Sequence, residues 1–104
     1  MPSLDALEKL LNGPRDGPLL RHSLGLVHLH EGRAAQAADC FRAAVTGDPK
    51  FSAGWKMLGK ALAESGDAAG AEAAYEQGIA VAEARGDVQA AKEMKVFLRR
   101  VKSG

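Results

Sequence analysis

The chain has 104 residues, a formal charge of +1 and a single cysteine, with 46% hydrophobic and 26% charged residues. Those values suit one folded domain and argue against a disordered tail, an internal disulfide, a cysteine-built metal site and a polyionic binder of nucleic acid or lipid. No apolar run approaches the length that spans a bilayer. The start, Met1-Pro2-Ser3-Leu4-Asp5, lacks a basic segment leading into an apolar one, so a reducing, cytoplasmic location is expected.

Breakers and apolar spacing divide the chain into six helical segments and leave almost no room for strands, so the expected fold class is all-α. Ser3 caps a first helix through Asn12, with Leu4, Leu7, Leu10 and Leu11 on one face. Gly13-Pro14-Arg15-Asp16-Gly17-Pro18 breaks it. Leu20, Leu24, Val27 and Leu29 mark a second helix from Leu19 to about Glu31, which Gly32 ends by supplying a left-handed residue. The third, Ala34 to Thr46, places Ala37, Cys40, Phe41, Ala44 and Val45 on one side and stops at Gly47-Asp48-Pro49. Helix four runs from Ser52 to Ser65 and closes at Gly66-Asp67. Helix five, from Ala68 to about Arg85, carries Ala71, Ala74, Tyr75, Ile79 and Ala82 before Gly86-Asp87 turns the chain. The last helix, Val88 to about Lys102, packs Ala91, Met94, Phe97, Leu98 and Val101 inward and carries Lys92, Lys95, Arg99 and Lys102 on its flanks.

Leu24, Gly25, Gly32, Ala37 and Phe41 recur as Leu58, Gly59, Gly66, Ala71 and Tyr75, each displaced by 34 residues. A fixed period of that length means a helix-turn-helix unit stacked on a copy of itself. The expected division is a single domain, 1–104: an N-terminal helix and linker over 1–17, repeats over 18–51 and 52–86, and a capping helix over 87–104. Where antiparallel helices cross, small residues admit close approach. Gly25 is paired with Ala37 and Gly59 with Ala71, while Phe41 and Tyr75 act as wedges beside Leu24 and Leu58.

Trp55-x-x-Leu58-Gly59-x-x-Leu62 followed by Ala71-x-x-x-Tyr75 resembles the tetratricopeptide repeat, or TPR, family, with Leu62 where an aromatic is commoner. The first copy is looser: Arg21-x-x-Leu24-Gly25-x-x-His28, then Ala37-x-x-x-Phe41, Ala44 and Pro49. Gly78 stands where alanine is typical and Glu83 where the turn proline would be, so the fifth helix should run on. The resemblance covers about residues 18 to 102. It implies a short right-handed solenoid of about six helices, the first being the remnant of a degenerate repeat.

It also implies a noncatalytic scaffold that binds a peptide or helix of another protein in a groove lined by the first helix of each repeat. The outward positions there are Leu19, His22, Leu26, Leu29 and His30, then Ala53, Lys56, Lys60 and Glu64. Of these, His22, Leu26, Leu29, His30, Lys56, Lys60 and Glu64 form the candidate binding set. Leu26 and Leu29 offer apolar sockets, and Lys56 and Lys60, one turn apart, suit a carboxylate; the opposing reading packs the leucines under the N-terminal helix and solvates the lysines. The family's chaperone-binding carboxylate clamp is missing. His22 and Leu26 replace its lysine and asparagine, Met57 its second asparagine, and the cap presents Asp87 and Ala91.

Other chemistry is weakly supported. Gly54 to Ala61 approaches a phosphate-binding loop, but Ala61 lacks the required hydroxyl and the segment lies in a helix. His28 and His30 point to opposite sides of their helix and His22 is two turns from His30, so the three cannot close a metal site. Cys40 reads as an inert buried thiol, and Ser23, Ser52 and Ser65 have no base and acid at hand. No enzyme activity, cofactor or metal is expected. The basic final helix, with Arg100, motivates the alternative of an anionic surface, RNA or acidic membrane, although nucleic acid is disfavoured because no stacking aromatics accompany the lysines. Two repeats bury little core, which makes a homo-dimer a route to added stability. The N-terminal helix is the segment placed to fold onto the groove or to exchange.

Overall fold

In the computed structural model, which describes residues 3–104, six helices follow one another: α1 (Leu4–Glu8), α2 (Pro18–His30), α3 (Ala34–Gly47), α4 (Ser52–Glu64), α5 (Ala68–Ala84) and α6 (Val88–Ser103). Met1 and Pro2, with which the expected 1–17 unit begins, lie outside the described residues. Consecutive helices pack in antiparallel pairs, α2 on α3 and α4 on α5, and the pairs join through α3 on α4 and α5 on α6. Helix α4 also meets α6 directly, which places α2, α4 and α6 along the inner side of the stack.

The corners follow from backbone chemistry. Gly32, Gly66 and Gly86 hold φ of 81°, 91° and 74°, a left-handed conformation that a side chain makes costly. Behind each glycine the next amide reaches back five residues: Arg33 N–H to His28 C=O, Asp67 N–H to Leu62 C=O and Asp87 N–H to Ala82 C=O, all 2.8 Å. This double closure satisfies carbonyls that a helix end leaves unpaired. Asp67 and Asp87 then start the following helix by accepting from Gly70 N–H at 2.9 Å and Ala90 N–H at 3.3 Å. Arg33 occupies the same place in the first repeat and has no capping oxygen; its Nε donates instead to His28 Nδ1 at 2.9 Å.

Phe41 and Met94 have no exposed surface and Leu58 is 1% exposed, and all three belong to one cluster running through both repeats into α6 except for a satellite at the N-terminal end. That satellite joins Leu7 of α1 to Leu20, Leu24 and Val27, with Leu4, Leu11 and Cys40 at its edge. Helix α1 therefore covers the outer end of the stack beside α2, not the inner side.

One expectation needs correction. The first helix stops at Glu8 rather than Asn12: the chain continues in tight turns to Asn12, whose φ is 62°. Five residues anchored by one buried leucine cannot sustain further turns, and Leu10 is left 37% exposed. Asp16 fixes the linker instead, accepting from Asn12 N–H at 2.8 Å and from Arg21 Nε and Nη2 at 3.0 and 2.7 Å. At the helix crossings, the three atoms nearest a side chain placed on Gly25 all belong to the Phe41 ring, and on Gly59 to the Tyr75 ring, the two aromatic wedges. The glycine is the notch for its own repeat's aromatic wedge. Gly78 has a matching reason: the Met94 thioether and Trp55 Cβ occupy the space where alanine's methyl would stand. With no proline at Glu83, α5 extends to Ala84, one turn longer than α3 allows.

Candidate functional site

The inner face is assembled from α2, α4 and α6. On α2, the half-buried His22 ring lies between Phe41 and Phe51, with centroids 5.2 and 4.8 Å away. Its Nδ1 is buried without a partner, and burial pushes its pKa below 6.5, so the ring is neutral at pH 7. Leu26 and Leu29 are half-buried and pack against the main core cluster, so each offers one flank rather than an empty socket. They do not lie under α1, whose contacts are Leu20, Leu24 and Val27. His30 is exposed one turn beyond Leu26.

On α4, Lys56 and Lys60 stand one turn apart as their spacing requires, but they differ in state. Lys56 is half-buried and its Nζ lies 3.4 Å from Glu93 Oε1 of α6, whereas Lys60 is exposed, as is Glu64. Glu64 adds to the burial that pushes the Tyr75 hydroxyl up to about 12. The structure thus brings Lys56 to a carboxylate already present in the chain and leaves Lys60 open. His22 and His30 do not approach those lysines through any hydrogen bond or ion pair among the described residues.

Sequence reasoning missed Glu93. It lies 37 residues from Lys56 on a helix of another unit, so no local spacing could reveal the pair. Phe97 and Arg100 belong to the same helix: Phe97 stacks obliquely on Tyr75 at 5.9 Å, with the Arg100 guanidinium 5.8 Å above its ring. A shallow depression of about 800 Å³ lies elsewhere, between the linker and α3, lined by Asn12, Asp16, Arg21, Asp39, Arg42 and Thr46. One of its two arginines, Arg21, is already taken by Asp16.

No group of three metal-ligating side chains converges among the described residues, and no described helix is long and apolar enough to cross a membrane. Cys40 is half-buried, and that burial pushes its thiol up, away from the reactive thiolate.

Comparison with known proteins places this geometry. Two tetratricopeptide-repeat family models match, one over residues 28–94 and one over residues 4–50. A TPR repeat-containing protein of Pseudomonas aeruginosa is 51% identical over 98 residues, covering 94% of this chain and 93% of the relative. A protein of Bordetella parapertussis solved in solution matches with a TM-score of 0.83 and 42% identity, over 99% of this chain and 90% of that one. The Sgt2 TPR domain from Aspergillus fumigatus matches at 0.73 and 26% identity, over 97% of this chain and 69% of that one. The stacked helix pairs, their glycine notches and these matches have one reading: the chain belongs to the tetratricopeptide-repeat family.

Proposed function

We propose that this protein is a noncatalytic binding module that takes an acidic peptide or helix of a partner protein on the inner face, at His22, Leu26, Leu29, His30, Lys56, Lys60 and Glu64. TPR repeats generally mediate protein–protein interaction, which sets the class. The observation that carries the finer reading is the Lys56–Glu93 pair: the face already seats one carboxylate on a lysine, with the exposed Lys60 one turn further on. A partly exposed pair of this kind is worth less than about 1 kcal/mol, so an incoming carboxylate can replace Glu93 at little cost. The half-buried flanks of Leu26 and Leu29 supply the apolar part of the contact.

The test compares capture of partners by the intact protein and by the Lys56→Glu/Lys60→Glu variant. Loss of specific partners with the variant supports the inner face, and equal retention by both removes it. The second reading, an anionic surface such as RNA or acidic membrane at α6, rests on that helix's five cationic side chains against one glutamate. It ranks below the first because Phe97 is engaged with Tyr75 and supplies no free stacking platform.

A further inference from the structure

Helix α4 packs between α3 and α5, whereas α6 packs on α5, touches α4 and, among the described residues, has no helix on its remaining side. Counted from their first residues, Ser52 and Val88, α4 and α6 set Met94 at the position of Leu58 and Leu98 at that of Leu62, which puts Lys95 at the place of Gly59. In α4 that place is the notch for the Tyr75 ring. On α6 the notch is filled by a lysine whose Nζ lies 3.0 Å from Glu83 Oε2. A helix with an aromatic wedge cannot nest there. One with a carboxylate at that position can.

The vacant side is shaped as a seat. Lys92, Lys95, Val96, Leu98 and Arg99 line a hollow of about 570 Å³, which continues at Lys92 and Lys95 into one of about 220 Å³ reaching Val88, Gly86 and the Lys95-paired Glu83. Val88 is 62% exposed. From Val88 to Arg99 the seat follows α6 for about three turns, or roughly 16 Å. Lys92 and Arg99 engage no acid among the described residues, so the strip offers unspent positive charge over a partly apolar floor. Two copies joined symmetrically here would set Lys92, Lys95 and Arg99 against themselves, which disfavours the chain as its own partner.

We propose that this seat takes an acidic amphipathic helix of a partner protein, laid along α6 where a seventh helix would stand. Its apolar side chains rest on Val96 and Leu98, and its carboxylates, spaced one turn apart, meet Lys92, Lys95 and Arg99. The site is separate from the inner face and holds whether or not that face binds anything.

The test titrates the full chain with a 14-residue synthetic peptide bearing leucines on one helical face and glutamates on its flanks, followed by amide NMR. A scrambled peptide of the same composition, phosphatidylserine vesicles and poly(U) RNA run in parallel. The expected result is saturable shifts at residues 88–99, with a midpoint of their own whether or not the inner face also responds. Affinity read at those residues should fall about tenfold or more in Lys92→Glu/Arg99→Glu and stay unchanged in the charge-matched Lys9→Glu/Arg15→Glu, whose two positions are exposed at the opposite end of the stack. Both altered positions are exposed, and circular dichroism verifies that each variant stays folded. Equal binding of the scrambled peptide, shifts on α2 and α4 with none at residues 88–99, or binding of only the vesicles or RNA would each overturn the proposal.

Discussion

Replacing Gly25 with alanine tests the central contact of the repeat. The added Cβ would lie 2.6 Å from Cε1 and 2.7 Å from Cδ1 of Phe41, a ring with no exposed surface and with the His22 ring 5.2 Å away. Overpacking of a core costs about 1–3 kcal/mol, and a ring without room to retreat belongs in the upper half of that range. Alanine returns about 0.5–1 kcal/mol of helix preference over glycine, leaving a net loss of about 1–2.5 kcal/mol. For a domain of this size that lowers the midpoint of a thermal melt by about 5–15 °C. Circular dichroism at 222 nm measures it, and a cycle with Phe41→Leu isolates the contact. The smaller side chain vacates the space, so the double variant should be less destabilised than the two single losses added together, by about 1 kcal/mol. A raised or unchanged midpoint in Gly25→Ala, or strict additivity, would refute the notch-and-wedge account.

Further outcomes concern ionisation and the surface pair. His22 is held neutral, so the unfolded chain binds the extra proton; stability should fall as pH drops below 6.5 until the folded-state group also charges, and His22→Gln should flatten that part of a pH-dependent urea profile. Tyr75 keeps its proton up to about 12 because of burial and the Glu64 charge, so stability should decline as pH rises from 10 to 12 while absorbance at 295 nm reports late ionisation; ionisation near 10 in the folded state would contradict its burial. The hydrogen bond from Arg21, followed by that from Asn12 N–H, holds Asp16 below 3.8, so its contribution is present above that pH and lost as pH falls through the folded value. Asp16→Asn should speed amide exchange at Asn12 without altering α4 or α5. Lys56→Ala should shift stability by less than about 1 kcal/mol, since the pair with Glu93 is partly solvated; a larger loss by chemical denaturation would make it structural rather than exchangeable.

The sequence alone determined the parts whose cause is local. Helix ends at Gly32, Gly66 and Gly86 are legible because a left-handed residue announces itself as glycine, and the period of 34 residues carries the antiparallel pairing with it. The length of α5 was legible from the absence of a proline at Glu83. Contacts that join distant segments were not. Which group fills the notch at Gly25 depends on the crossing geometry of α2 and α3, and Phe41 and Ala37 share one face of the same helix. The end of α1 at Glu8 depends on how few of its leucines find a partner on α2. Only tertiary structure pairs Lys56 with Glu93, or leaves α6 with Lys95 at the place of a glycine and no described helix on the side away from α5. Backbone preference acts within a few residues and leaves a mark in the string, whereas charge pairing and side-chain fit act through space and are set once the helices have docked.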